Sequence, residues 1–89
     1  YKRQGYYIEA DIIGRQTNGT NQTNAYKVAY RAKNNAGTIT GAVNQLMVNE
    51  ETSTWDATIS SSGTNILIQV IGAASTNITW KCIYRVREV

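Results

Sequence analysis

Six carboxylates are the first side chains to weigh for chemistry. Glu9 and Asp11 stand two residues apart, Glu50 and Glu51 are adjacent, and Asp56 and Glu88 stand alone. Glycoside hydrolysis needs two carboxyl groups held across one bond, and general acid–base work most often uses histidine. The sequence has no histidine. Glu9 and Asp11 share one side of an extended segment, which suits a solvated strand face better than a cleft, and Glu50-Glu51 fall in a turn. The single thiol, Cys82, has no partner for a disulfide or a structural metal site. It alternates with apolar residues and is expected as a small buried side chain. Gly72-Ala-Ala-Ser-Thr76 has the small residues of a phosphate loop but neither its lysine nor its second glycine. No catalytic residue, metal site or cofactor is expected, and the chain reads as non-enzymatic.

Binding chemistry is better supplied. Lys27, Arg31 and Lys33 share one side of a strand, and Lys81, Arg85 and Arg87 share one side of another. Were the two sides to meet, they would form a positive surface for an anionic polysaccharide or lipopolysaccharide phosphate. The favoured expectation is a solvated outer face whose charges discourage edge-to-edge pairing. The net charge of +3 is mild for a nucleic-acid binder. The aromatics alternate with the cations along each strand, so most point to the opposite side, whereas a single-strand binder needs both on one surface. No nucleic acid is expected as a partner. Nor is membrane insertion, since no apolar run approaches the roughly 18 residues of a span. Tyr26, Tyr30, Trp55, Trp80 and Tyr84 are expected in a core or a subunit interface. Tyr6, Tyr7, Tyr26, Tyr30 and Tyr84 are together too many for one small core, and tyrosine suits an interface because its tip is polar, so some of them are expected at a subunit contact.

The elements that must position these residues are strands. Residues 6–14 (YYIEADIIG) and 25–33 (AYKVAYRAK) alternate with period two. Between them, 15–24 (RQTNGTNQTN) is the longest loop and lacks any aliphatic residue. Residues 34–37 (NNAG) form a hairpin turn and 38–48 return as its partner, with Gly41 marking a bulge or a close backbone approach. A short strand follows from Trp55 to Ile59, with Trp55, Ala57 and Ile59 inward, and 60–65 turn the chain. Residues 65–72 are nearly all apolar, as expected for a central strand covered on both sides. Residues 78–88 form the last strand, after a turn at 73–77. Six regularly spaced strands and no helix predict one all-β domain spanning 1–89, a small antiparallel β-sandwich or barrel. A domain this small buries only about 60–65% of its unfolded surface, so oligomerisation is expected to supplement its core.

The second half carries a family resemblance. Gly41-Ala-Val43, Trp55-Asp-Ala-Thr-Ile59, Gly63-Thr-Asn65 and Ile68-Gln-Val-Ile-Gly-Ala-Ala-Ser-Thr-Asn-Ile-Thr-Trp80, with a strand closing on Glu88-Val89, resemble the C-terminal domains of bacteriophage and prophage tail fibre or tail spike proteins. Ala25 through Thr38 resembles the upstream hairpin of those domains. Lys81-Cys82, Arg85 and Arg87 depart from the family's more neutral last strand. The resemblance implies a homotrimeric, β-rich module, the distal fragment of a longer fibre protein that begins before Tyr1. It implies a place on the virion, made in the host cytoplasm and acting outside the cell. Its role would be host adsorption through a bacterial surface glycan or outer-membrane component, or trimerisation and capping of the fibre. A depolymerase role is the remoter possibility, given the dispersed acids. If the module binds a receptor, polar loop tips are the adaptable part. The candidate contacts are Arg15, Asn18 and Asn21, Asn34 and Asn35, and Ser61, Ser62 and Thr64.

Overall fold

A computed structural model describes residues 4–88. It contains six strands: β1 (Gln4–Gln16), β2 (Thr23–Asn35), β3 (Thr38–Glu50), β4 (Asp56–Ser62), β5 (Asn65–Ile71) and β6 (Ile78–Glu88). Four of them form one antiparallel sheet in the order β3-β2-β1-β6, and β4-β5 form a separate antiparallel hairpin. The last strand thus pairs with the first. The hairpin lies across one face of the four-stranded sheet and makes an unequal two-layer sandwich.

Alternation fixes which side chains meet. Ile8, Ala10 and Ile12 of β1 and Tyr26, Val28, Tyr30 and Ala32 of β2 point toward the hairpin, where Ala57 and Ile59 of β4 close over them. Each buried isoleucine here contributes about 1.5–3 kcal/mol of transfer free energy. Trp55, just ahead of β4, is buried and meets Trp80 edge-on at 6.0 Å. Two glycines make room for rings on this inner face. Trp80 lies directly over its register partner Gly14, where an added Cβ would sit 2.7 Å from the indole. At Gly41 an added Cβ would run into the Arg31 carbonyl oxygen and lie 2.8 Å from the Tyr30 ring. Gly41 is therefore a close approach; the bulge on β3 lies instead at Leu46, where the register with β2 shifts beside Lys27 and Val28. The β2–β3 turn is the tight two-residue type, with Ala36 and Gly37 both at positive φ and the Asn34 side-chain oxygen accepting the Gly37 N–H.

Three expectations are corrected. The first loop is shorter than 15–24, because β1 runs through Arg15 to Gln16 and β2 already begins at Thr23. The apolar segment 65–72 is not a central strand: β5 is the outer member of a two-stranded hairpin, with Leu67, Val70 and Ile71 exposed. Cys82 is exposed rather than buried. The hairpin is too narrow to cover the later part of β6, so the inward side of that strand stays open beyond Trp80, with Tyr84 60% and Val86 52% accessible. Tyr6, Ile8, Ile66, Ile68, Tyr84 and Val86 line an open apolar groove of about 360 Å³ there.

Candidate functional site

Directly paired residues in an antiparallel ladder project to the same side, so the register sorts every side chain of the large sheet. Opposite the hairpin, β1 presents Tyr7, Glu9, Asp11, Ile13 and Arg15, β2 presents Lys27, Arg31 and Lys33, and β6 presents Lys81, Arg85 and Arg87. These seven cations are every lysine and arginine among the described residues; Lys2 and Arg3 lie outside them. The carboxylates on this face among the described residues are Glu9 and Asp11 of β1 and Glu51, which leaves a formal charge of seven minus three, or +4. Glu51 sits at its far end and accepts hydrogen bonds from the Thr23 N–H and hydroxyl. Glu50 and Glu88 belong to the other side of the sheet, and Asp56 to the hairpin. The cationic sides of β2 and β6 thus share one face, with β1 and its Glu9 and Asp11 between them.

Charge is not spread evenly over this face. Glu9 stands between Lys27, at 3.8 Å, and Arg85, at 3.4 Å. Such exposed pairs add little stability, with a median near 0–1 kcal/mol. Their consequence is local: the middle of the face is partly neutralised by Glu9 and Asp11. Toward the end formed by the start of β1 and the end of β6, Arg31, Lys33 and Arg87 pair with no carboxylate among the described residues. Arg31, Tyr7 and Arg87 fall in one row across three strands. From the sequence Tyr7 stands only among the tyrosines surplus to one core, alternating with the acids of β1. Its hydroxyl donates to Glu9 Oε2 at 3.5 Å, so the ring lies along the strand with 40% of the residue exposed.

The loops selected from sequence do not form one surface. Asn18 and Asn21 lie at the β1–β2 end, where Asn18 donates to the Ser75 carbonyl and accepts from the Asn77 N–H, and Arg15 bonds Asn21. Asn34, Asn35, Ser62 and Thr64 lie at the opposite end, where the Ile39 N–H donates to the Gly63 carbonyl. Thirteen-residue strands place these ends roughly 40 Å apart. Five of the candidates lie within strands rather than at loop tips, Asn34 and Asn35 at the end of β2 and Ser62 at the end of β4 among them. Arg15 belongs to β1, and Ser61 points inward, bonded to the Tyr30 hydroxyl and the Ile39 carbonyl. Asn34 is engaged in its own turn.

The aromatics sort as follows. Tyr26, Tyr30 and Trp55 are buried, Trp80 is half-buried against the core, and Tyr84 is exposed. A polar cluster missed in the sequence surrounds Tyr26. Its hydroxyl donates to Glu50 Oε2 at 2.6 Å and accepts from Asn24, which is 1% exposed. Asn24 also donates to the Thr52 carbonyl and accepts the Glu51 and Thr52 N–H groups, tying the β3–β4 connection to β2. Burial, reinforced by the Glu50 hydrogen bond, pushes the Tyr26 phenol up to about 12. Burial, then Asp11, pushes the Cys82 thiol up as well, which does not favour a nucleophilic thiolate. The acids stay dispersed: Glu9 and Asp11 lie on the outer face, Glu50 on the inner, and Asp56 bonds Gln45 on the hairpin side. No group of three or more His, Cys, Asp or Glu side chains forms among the described residues.

Comparison of the chain with protein-family models, with curated proteins and with solved structures finds no match.

Proposed function

We propose that this chain is a non-enzymatic adsorption module at the distal end of a phage tail fibre, and that it attaches to an acidic glycan of the bacterial surface. The observation that carries this reading is the gathering of all seven described cations on the outer face of the large sheet. A rigid four-stranded sheet holds them at fixed spacing, and a charged polymer laid on such a face gains several modest contacts at once. The tail-fibre setting comes from the sequence resemblance. Copies of the chain around a fibre axis would multiply weak single-site binding.

The test is binding of the purified 89-residue chain to an immobilised panel of acidic and neutral bacterial polysaccharides. Retention on acidic polymers that falls steeply between 0.05 and 0.5 M salt, with none on neutral ones, is the expected result, because added salt shortens the reach of exposed charges. Equal retention on both kinds, or on neither, rejects the reading.

A second reading is favoured by a different observation. Tyr84 and Val86 on β6, Val43, Leu46 and Val48 on β3, and Leu67 and Ile71 on β5 are exposed apolar side chains on outer strands. They fit a module that trimerises or caps the fibre, with or without receptor binding. Sedimentation of the isolated chain tests this: a trimer at micromolar concentration supports it, and a monomer at all concentrations rejects it.

A further inference from the structure

The unneutralised end of the basic face has more than charge. Arg31, Tyr7 and Arg87 are register partners across β2, β1 and β6. Neighbouring strands lie about 4.8 Å apart, so the two arginines stand roughly 9.6 Å apart at their Cα atoms with the tyrosine between them. Lys33 is next along β2, opposite Gly5. Gly5 is the residue before Tyr7 on the same side of β1, and an added Cβ there meets nothing within 4 Å. The backbone at Gly5 is not in the positive-φ region, so this glycine answers no conformational need. Its effect is a bare floor beside the Tyr7 ring, walled by Arg31 and Lys33 on one side and Arg87 on the other. The Tyr7 hydroxyl reaches Glu9 at 3.5 Å on the side away from Gly5, and Glu9 is in turn paired with Lys27 and Arg85.

We infer that the shelf formed by Gly5 and Tyr7 between Arg31, Lys33 and Arg87 is a binding subsite for one acidic pyranose unit of a polysaccharide. The apolar face of the sugar ring lies on Tyr7, and its carboxylate is taken by the guanidinium forks, whose planar geometry matches an oxyanion. This inference rests on the reading of the outer face as the glycan-binding face. A nucleic acid fits the shelf less well. A strand of bases needs successive aromatic platforms, and Tyr7 is the sole aromatic among the described residues of this face; Tyr26, Tyr30, Trp80 and Tyr84 lie on the other side.

The experiment titrates the 89-residue chain with oligogalacturonate, with neutral dextran fragments of the same length, and with oligothymidylate as a polyanion without pyranose rings. The variants are Arg31→Gln, Arg87→Gln, Gly5→Leu, Tyr7→Phe and, as a control on the same face, Lys81→Gln. All sit at solvent-exposed or open positions, and far-UV circular dichroism with a denaturation midpoint checks that each is folded. The shelf predicts that Arg31→Gln and Arg87→Gln each weaken oligogalacturonate binding about tenfold or more, while Lys81→Gln, with the same loss of charge, changes it by less than about threefold. Gly5→Leu, with no charge change, also weakens it about tenfold, and Tyr7→Phe retains it within about threefold. If all three charge variants lose affinity equally, or Gly5→Leu binds like the parent chain, the shelf is overturned while the basic face stands. If oligothymidylate binds as tightly as oligogalacturonate, the sugar assignment is overturned. If the parent chain binds no acidic oligosaccharide, the shelf and the face reading fall together.

Discussion

Replacing Asn24 by alanine should be among the most damaging single changes in this chain, although it removes no apolar contact of the core. Asn24 accepts the N–H groups of Glu51 and Thr52 at 2.9 and 3.1 Å and donates to the Thr52 carbonyl at 2.7 Å and the Tyr26 hydroxyl at 3.0 Å. Truncation strips three backbone groups of the β3–β4 connection of their partner. Each such group costs roughly 1–3 kcal/mol when left unsatisfied in a buried place. Glu51 and Thr52 are themselves partly wet, so the low end applies to each and the sum is about 3 kcal/mol. A chain of this size has a total stability of roughly 4–13 kcal/mol, so the loss is a large share of it. Urea denaturation followed by the fluorescence of Trp55 and Trp80, at fixed chain concentration, measures it, and the slope with denaturant should not change. A double-mutant cycle with Tyr26→Phe should show coupling of at least about 0.5 kcal/mol, since the two side chains share a hydrogen bond. A loss under about 1 kcal/mol, or strict additivity with Tyr26→Phe, would refute the role given to this cluster.

Other consequences follow from single positions. Gly41→Ala forces a methyl against the Arg31 carbonyl and the Tyr30 ring, and should cost about 1–3 kcal/mol in the same denaturation assay. The raised Tyr26 phenol links folding to pH. The unfolded phenol ionises near 10 and the folded one only near 12, so the unfolded state binds fewer protons in that interval. Stability from this group is complete below pH 10 and falls as pH rises to 12, by roughly 2–3 kcal/mol, and Tyr26→Phe should flatten that part of the profile. Cys82 lies on the open side of β6, so a maleimide should label it readily in a monomer. Protection that disappears on dilution is expected if β6 borders a second copy, and concentration-independent labelling counts against that seam.

Much of the strand plan was legible because alternation is a local property. Tyr26, Val28, Tyr30 and Ala32 lie on one side of β2 with Lys27, Arg31 and Lys33 on the other, and nothing beyond nine residues of sequence is needed to say so. Sheet order is not local. Glu9 and Arg85 are ion-paired across 76 positions, and no spacing within either strand announces that β6 pairs with β1. That one pairing turns two separate cationic stripes into a single face and puts Tyr7 among arginines. The width of the second layer was equally hidden. An inward-facing Tyr84 or Cys82 is buried only if something covers it, and a two-stranded hairpin stops short of the later part of β6. The apolar run of β5 resembled a central strand because sequence does not say how many strands a layer holds. Asn24 was assigned to a loop for its residue type, while its burial depends on the connection at Glu51 and Thr52 folding back onto it. Composition marks the polar loops but not their places, and the lengths of β1 and β2 set them at opposite ends.

The central claim is that the outer face of the large sheet binds an acidic glycan. Amide chemical-shift mapping of the ¹⁵N-labelled chain with oligogalacturonate tests it residue by residue. The account predicts shifts concentrated at Gly5, Tyr7, Arg31, Lys33 and Arg87, spreading weakly along the face toward Lys27 and Arg85 and suppressed at high salt. Shifts confined to residues 17–22 and 73–77, or to Tyr84, Val86 and the hairpin, would contradict it.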